Sequence, residues 1–232
     1  DRVYPQKADF TFYGGIYRSV YLVETDEVHF PLLSYGGPGV KVTTKVQGQR
    51  GILSFSSSVE GAGDLCRVNI NDTGYSFPVI NGEVEGEVEI DNVHLWNGLE
   101  DPYLYPVSFS LEKNGEERDE IELKVGFRTI EIDSGKGFFL NGRSYPLRGV
   151  SRHQDRWGKG NAIDERDEDE DMDIILDSGA NTVRLAHYQH SQHFYDLCDE
   201  KGLLVWAEIP FITVFMENGK ENTLSQMKEL VV

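Results

Sequence analysis

The stretch that decides the fold reads GANTVRLAHYQHSQHFYDLCDEKGLLVWAEIP and covers residues 179–210. An apolar strand pattern is followed by a helix pattern and then by a second apolar strand pattern, with short links between them. We predict a strand over Asn181–His187, a helix over Ser191–Lys201 and a strand over Leu203–Pro210. Strand, helix and strand in this order are typical of a parallel sheet.

The helix in this stretch has recognisable ends and a recognisable buried side. Ser191 is a good N-cap residue, and Gly202 stands where the chain needs a left-handed stop. Phe194, Leu197 and Cys198 recur at helical spacing and form a predicted buried stripe.

The residues before this stretch continue the same pattern. An Asn141-Gly142 turn leads into a predicted strand over Tyr145–Val150, and a helix follows over Asp164–Ser178, with Gly179 as its stop. The chain thus provides three parallel strands with helices. Because a closed barrel needs about eight strands, we expect the sequence to be an excerpt of a longer protein.

The first part of the chain reads differently. Apolar and polar residues alternate in short runs between turns such as Asn71-Asp72-Thr73-Gly74 and Asn114-Gly115. This pattern predicts an antiparallel sandwich of immunoglobulin size over residues 28–132. Residues 1–27 are then the tail of another domain, with a strand expected over Gly15–Glu24, and residues 133–232 hold the parallel part.

Composition narrows the function. The formal net charge is −18, which disfavours nucleic acid as a partner, because phosphate binding needs a basic face. The two cysteines, Cys66 and Cys198, lie far apart and form neither a disulfide framework nor a Cys-x-x-Cys motif. No apolar run reaches the ~18 residues of a membrane span, and no signal peptide is visible. Location in the periplasm or the cytoplasm stays open.

The acidic run from Asp164 to Asp173 does not fit a calcium loop. Such a loop needs glycine at its sixth position, and counting from Asp167 that residue is Met172. We expect the acids to face water, and the sequence identifies no cofactor or metal ligand. A divalent metal in the full-length parent is left open.

Polar side chains collect at the carboxyl ends of the three predicted parallel strands. His153 follows the first, Arg184 and His187 belong to the second, and Glu208 ends the third. Function in such folds gathers at these ends, and this mixture of groups suits a ligand rich in hydroxyls. A guanidinium in a buried strand needs a carboxylate, and Glu208 or an acid outside the sequence could serve Arg184.

Several other polar or aromatic residues have simpler interpretations. We expect His190 and His193 to be solvated near the second helix. Trp157 fits loop packing as well as a sugar platform. Trp96, Tyr103 and Tyr105 are expected to pack in the sandwich core or at a domain interface.

Four segments in this order resemble glycoside hydrolase family 2, the β-galactosidase and β-glucuronidase group, and especially its bacterial, Bacteroidetes-type β-galactosidases. They span nearly the whole chain. The resemblance implies an immunoglobulin-like β-sandwich followed by the first three βα units of a TIM (β/α)8 barrel, preceded by the tail of a jelly-roll domain. The four segments are DFTFYGGIYRSVYL (9–22), HLWNGLEDPYLYPV (94–107), VGFRTIEI with GFFLNGRSYPLRGVSRHQD (125–155), and GANTVRLAHYQHSQHFYDLCDEKGLLVWAEIP (179–210).

The resemblance also implies residue roles. Asp9 matches an aspartate that reaches the substrate hydroxyls, and His153 and His187 match two histidines that contact the sugar. Arg184 matches the arginine that orients the nucleophilic glutamate. Glu208 sits where the family has an acid, but Ala207 before it departs from the family pattern and leaves its contacts in doubt. Gln154-Asp155 departs as well, since many members have Glu after the histidine.

The implied reaction is hydrolysis with retention through two glutamates about 5 Å apart. Neither catalytic glutamate has a match, so we expect the fragment itself to be inactive and its full-length parent to be an exo-β-glycosidase. A terminal β-galactoside is the preferred substrate. The alternatives are a β-glucuronidase of the same family and a non-catalytic carbohydrate-binding module. Self-association is left open.

Overall fold

The structure is a computed structural model that describes residues 10–212 and 217–231. The chain divides into two compact units. One consists of residues 22–97 and 101–145, and the other comprises the described parts of residues 1–21, 98–100 and 146–232.

The first unit is an antiparallel β-sandwich. One sheet has the order β1-β2-β5, and the other has the order β4-β3-β6-β7. This is the immunoglobulin-like sandwich that the alternating sequence predicts. Its strands are β1 (Lys41–Gln47), β2 (Arg50–Ser58), β3 (Leu65–Ile70), β4 (Thr73–Pro78), β5 (Glu83–Ile90), β6 (Tyr105–Lys113) and β7 (Glu116–Val125).

The core of the sandwich lies between its two sheets. Alternate residues of the strands point inward, as in β3, where Cys66, Val68 and Ile70 are buried and their neighbours are not. Phe55 from one sheet lies 5.3 Å from Phe109 of the other, measured between ring centroids. Aromatic rings at this spacing add to the stabilisation that burial of apolar area provides.

A small three-stranded sheet completes this unit. It consists of β8 (Ile130–Asp133), β9 (Gly137–Leu140) and β10 (Arg143–Ser144), in the order β10-β9-β8. Asn141 and Gly142 have φ of 51° and 74°, the left-handed values that a tight hairpin of this kind requires. The predicted hairpin is confirmed.

Trp96, expected in the core or at an interface, is 1% exposed.

The second unit contains a parallel sheet in the order β11-β12-β13 with helices between its strands. Thr182 pairs with Gly149 on one side and with Leu204 on the other, so the three strands run in one direction. These are three βα units of a barrel domain. The elements are β11 (Gly149–Arg152), α1 (Glu165–Asp177), β12 (Thr182–Leu185), α2 (Gln192–Lys201), β13 (Leu204–Ala207) and α3 (Lys220–Val231).

The helix ends follow from their local sequences. Asp164 and Asp167 form a capping box at the start of α1, each carboxylate accepting from the other's backbone N–H. The Ser191 hydroxyl caps α2 by accepting from the N–H of Phe194. Gly202 ends α2 with φ of 83°, where glycine avoids the steric cost of the left-handed region. All three caps match the sequence prediction.

Two strand predictions need correction. The expected strand Gly15–Glu24 is not formed, because a strand needs a neighbour's backbone groups and no described strand pairs with this segment. The strand expected over Tyr145–Val150 begins only at Gly149, where its pairing with β12 starts. An apolar pattern alone does not show where pairing begins.

The two faces of β12 differ. Val183 and Leu185 are fully buried and pack with Phe194, Met172 and Ile175 of the helices. A part of a barrel that lacks five strands is expected to expose the apolar residues of its sheet, but Val183 and Leu185 are covered because they point toward α1 and α2. Arg184, between them, points to the opposite face of the sheet.

Candidate active site

The four charged and imidazole side chains predicted from the strand ends come together in the second unit. Arg184 lies on β12, where it pairs with Ser151 of β11 and Trp206 of β13. His153 follows β11, His187 follows β12 by two residues, and Glu208 follows β13 directly. The parallel strands thus deliver these groups to one edge of the sheet.

Arg184 and Glu208 form a fork-shaped ion pair. Arg184 Nε donates to Glu208 Oε1 at 2.6 Å, and its Nη2 donates to Oε2 at 3.1 Å. The planar guanidinium matches the carboxylate with two parallel bonds, which fixes the orientation of both groups. The carboxylate that Arg184 was expected to need is therefore Glu208. The arginine side chain is 41% exposed.

His187 joins this pair through its Nδ1 atom, which lies 3.0 Å from Glu208 Oε2. The same Nδ1 atom lies 3.0 Å from Arg184 Nη2. With its proton on Nδ1, the neutral imidazole donates to the carboxylate and Nε2 is the acceptor. Burial alone would raise the pKa of Glu208, but the hydrogen bonds from Arg184 and His187 outweigh it and hold that pKa below its usual range. Glu208 is therefore an anion at neutral pH.

His153 lies beside His187, with their ring centroids 5.2 Å apart. Its Nδ1 is buried and has no hydrogen-bond partner within residues 10–212 and 217–231. A buried polar atom without a partner is costly, so a position of this kind suits a ligand hydroxyl or a group from elsewhere in the protein.

The segment before the sandwich contributes an aromatic ring to the same site. Phe10 lies 5.4 Å from His153, 5.6 Å from His187 and 5.6 Å from Tyr188, measured between ring centroids. Sequence reasoning did not single out Phe10, although it directly follows Asp9. Asp9 itself, the predicted substrate contact, lies outside the described residues.

Gln154 connects that segment to helix α2. Its Oε1 accepts from the backbone N–H of Ser191 at 2.8 Å and from Arg18 Nη2 at 3.3 Å. Arg18 also donates to the backbone oxygen of Gln189 at 2.6 Å. Gln154 is buried, and its amide oxygen accepts from both donors. The sequence marked Gln154 as a departure but gave no sign of these partners.

Two expectations about solvated residues are wrong. His190 is 3% exposed and hydrogen-bonded on both ring nitrogens, because it precedes α2 and contacts Arg152 and the backbone of Ala186 instead of lying on the helix surface. In the acidic run, Asp167 and Glu168 are buried. Asp167 belongs to the capping box of α1 and pairs with Lys159 and Arg156. The hydrogen bond from Lys159 contributes most to lowering the pKa of Asp167, and the bond from Arg156 lowers it further.

The other observations concern metals, thiols and membranes. No group of three or more candidate ligands for a metal ion occurs in the described part of the chain. Cys66 and Cys198 are free and buried. None of the helices described is long and apolar enough to cross a membrane. Trp157, the candidate sugar platform, is fully exposed.

Two family models match the chain. Residues 36–128 match glycosyl hydrolases family 2, and residues 130–230 match the TIM barrel domain of glycosyl hydrolases family 2. The two matches divide at the small sheet, between the sandwich and the parallel strands.

Relatives with two different names resemble the chain. A β-glucuronidase of Bacteroides fragilis is 35% identical over 98% of the chain and 37% of its own length. A β-galactosidase of Thermoanaerobacter pseudethanolicus is 32% identical over 97% of the chain and 31% of its own length. The crystal structure of an FMN-binding β-glucuronidase of Faecalibacterium prausnitzii L2-6 superposes with a TM-score of 0.92 at 41% identity, covering 99% of this chain and 37% of that one. The chain therefore spans between 31% and 37% of the length of these relatives.

Proposed function

The chain belongs to glycosyl hydrolase family 2, and from this premise we propose that the full-length protein containing it is a retaining exo-β-glycosidase. The observation that carries the proposal is the cluster formed by Arg184, His187, Glu208 and His153 at the carboxyl ends of three parallel strands. A structural ion pair alone would not need two imidazoles beside it.

In this proposal, the cluster forms one wall of the sugar pocket. His187 Nε2 and the unpartnered Nδ1 of His153 hydrogen-bond sugar hydroxyls, together with Asp9. Glu208 holds Arg184 and His187 in place and remains charged because both of them stabilise its anion. Arg184 orients the nucleophilic glutamate and favours its ionised form.

The chemical step requires two carboxyl groups about 5 Å apart, one as nucleophile and one as acid and base. We assign both to parts of the full-length protein outside this chain. The residues described here bind and orient. The chain alone is therefore expected to show no hydrolysis.

A terminal β-galactoside is the first candidate substrate. It rests on the sequence of the two strand ends, SRHQD and RLAHYQH, and on the net charge of −18, which repels anionic substrates. A β-glucuronide is the second candidate, supported by the names of the Bacteroides fragilis and Faecalibacterium prausnitzii relatives. A carbohydrate-binding module without catalysis is a third candidate. Sugar binding alone would not need Arg184 within a parallel strand, paired with Glu208.

The test uses the full-length protein with matched 4-nitrophenyl β-galactoside and β-glucuronide. Release of nitrophenol from one of them, with the β-anomer of the free sugar appearing first in the NMR spectrum, supports the proposal and chooses the sugar. First appearance of the α-anomer contradicts retention. Binding of sugar without hydrolysis of either glycoside supports the binding-module reading instead.

A further inference from the structure

Behind the proposed sugar-facing residues, a closed ring of hydrogen bonds links β11 to the end of β12. The backbone oxygen of Arg152 accepts from the N–H of Ala186 at 3.0 Å. The side chain of Arg152 meets His190 Nδ1 through Nη1 at 2.9 Å, and His190 Nε2 meets the backbone oxygen of Ala186 at 3.1 Å. Arg152 therefore holds the Ala186 residue at its N–H directly and at its C=O through His190.

The donors in this ring can be assigned. Arginine only donates, so His190 Nδ1 must accept, and Nε2 must carry the proton that goes to Ala186. The imidazole is therefore neutral with its proton on Nε2. Burial, followed by the nearby positive charges of Arg152 and Arg18, lowers the pKa of His190 to about 3, although the bond to Ala186 opposes this. A protonated ring would lose its bond from Arg152.

Arg152 is itself anchored from helix α1. Its Nε and Nη2 lie 2.9 Å and 2.8 Å from Asp171 Oδ2, and its guanidinium carbon lies 3.9 Å from the ring centroid of Phe194. The side chain is 5% exposed. Because a buried ion pair is often no more stable than an apolar replacement, stability alone does not explain why these groups are charged.

Two of the three residues in the ring stand directly before the two histidines of the site. Arg152 precedes His153, and Ala186 precedes His187. A displacement of either peptide moves an imidazole, and misplacement of about 1 Å can cost roughly 100-fold in rate. The ring therefore connects helix α1 to both histidines.

We propose that Arg152 and His190 are positioning residues, which fix His153 and His187 by clamping the Ala186 peptide between strand β11 and a neutral imidazole. This inference rests on the proposed glycosidase function. It assigns to His190, a residue that the sequence pattern places on a solvated surface, a task in setting the geometry of the sugar pocket.

The test compares four variants of the full-length protein. His190→Phe fills the same space but removes both hydrogen bonds, and His190→Gln can restore the donor to Ala186. Arg152→Lys keeps the charge next to Asp171 but lacks the second nitrogen that reaches His190. His193→Phe, on the partly exposed first turn of α2, is the matched control.

Two measurements are made on each variant. In kinetics with the preferred glycoside, His190→Phe and Arg152→Lys should each lower kcat/KM roughly 100-fold, His190→Gln should recover a good part of the loss, and His193→Phe should stay within about twofold of wild type. In amide hydrogen exchange followed by mass spectrometry, peptides covering Ala186 and His187 should exchange faster in His190→Phe and Arg152→Lys. Peptides from the sandwich should not change.

Some results would overturn the proposal. These are a kcat/KM near that of wild type in both His190→Phe and Arg152→Lys, or unchanged exchange at Ala186 in either. Should wild type hydrolyse no glycoside, the proposed function fails, and the exchange data still decide whether the clamp exists. If His190→Phe does not fold, the kinetics and the amide exchange of Arg152→Lys still test the inference.

Discussion

At the residue scale, Glu208 stays ionised because Arg184 and His187 both bind its carboxylate. The same carboxylate fixes the positions of these two partners. The fork from Arg184 fixes the carboxylate plane, and His187 uses the same Oε2. Each strand contributes a group that would be poorly oriented alone. The sequence predicted this cluster because strand ends of a parallel sheet meet. It could not predict Phe10 or Gln154, whose contacts come from segments far apart in the chain.

Replacing Glu208 tests this cluster. In the full-length protein, we expect Glu208→Gln to lower kcat/KM roughly 100-fold, because loss of the anion frees both Arg184 and His187 to move. Glu89→Gln is the matched control, since Glu89 pairs with Arg50 on the sandwich surface. Steady-state kinetics on both variants provides the measurement. Equal activity of the two variants would contradict the role of Glu208.

The pKa values of two histidines near the start of α2, His190 and His193, shift in opposite directions. Burial and the nearby Arg152, Arg18 and His153 lower the pKa of His190. The carboxylates of Glu168 and Asp171 on α1 lie near Arg152, at 3.9 Å and 2.8 Å from its Nη2. His193 is partly buried, which lowers its pKa, but its bond to Asp169 outweighs this and raises it.

The expected outcome follows from these signs. Between pH 6.5 and 4, His190 should stay neutral while His193 is protonated, as measured by hydrogen exchange at the imidazole C2 position. The unfolded chain binds a proton at residue 190 below about pH 6.5, so that residue makes the fold less stable as the pH falls. His193 contributes stability below about pH 6.5 that is lost as the pH rises through its folded pKa. Protonation of His190 at pH 6 would contradict the structure.

At the scale of elements, the helices could be predicted better than the strands. A capped helix carries its start and stop in its own residues, as Ser191 and Gly202 show for α2. A strand depends on a neighbour, which is why Gly15–Glu24 reads as a strand and is not one here. His190 was misjudged for a related reason, because helical periodicity says nothing about a residue that precedes the first turn.

The two glycines that end α1 and α2 provide a matched pair of substitutions. A Cβ on Gly179 meets nothing within 4 Å, so Gly179→Ala should cost only the left-handed backbone, about 1 kcal/mol. A Cβ on Gly202 would lie 2.2 Å from the backbone oxygen of Gly98. Gly202→Ala should therefore lower the thermal midpoint of the barrel part by clearly more than Gly179→Ala. Equal losses in calorimetry would contradict this packing.

At the scale of the whole molecule, a sandwich and three βα units follow from a change in hydrophobic period along the chain. Alternation of apolar and polar residues with period two predicts the sandwich. Strand patterns that alternate with helix patterns predict the βα units. The expected domain boundaries at residues 27 and 132 stay predictions. The predicted preference for a galactoside stays a prediction, since the relatives carry both names, β-glucuronidase and β-galactosidase.

Each unit buries one cysteine in its core, and this gives a test of both units at once. Burial raises the pKa of Cys66 and of Cys198 to about 12 in each case. At pH 8 the thiolate is scarce in both, so iodoacetamide should add to neither in the native chain and to both after denaturation. Mass spectrometry reports the additions. Rapid labelling of one cysteine in the native chain would show that its unit is not packed as described.

The most direct test of the central claim is a crystal structure of the full-length protein with the monosaccharide that its preferred substrate releases. The account predicts sugar hydroxyls within about 3.2 Å of His187 Nε2 and of His153 Nδ1, with the Arg184–Glu208 fork intact. A sugar bound elsewhere in the barrel, with both imidazoles facing only solvent, would contradict it.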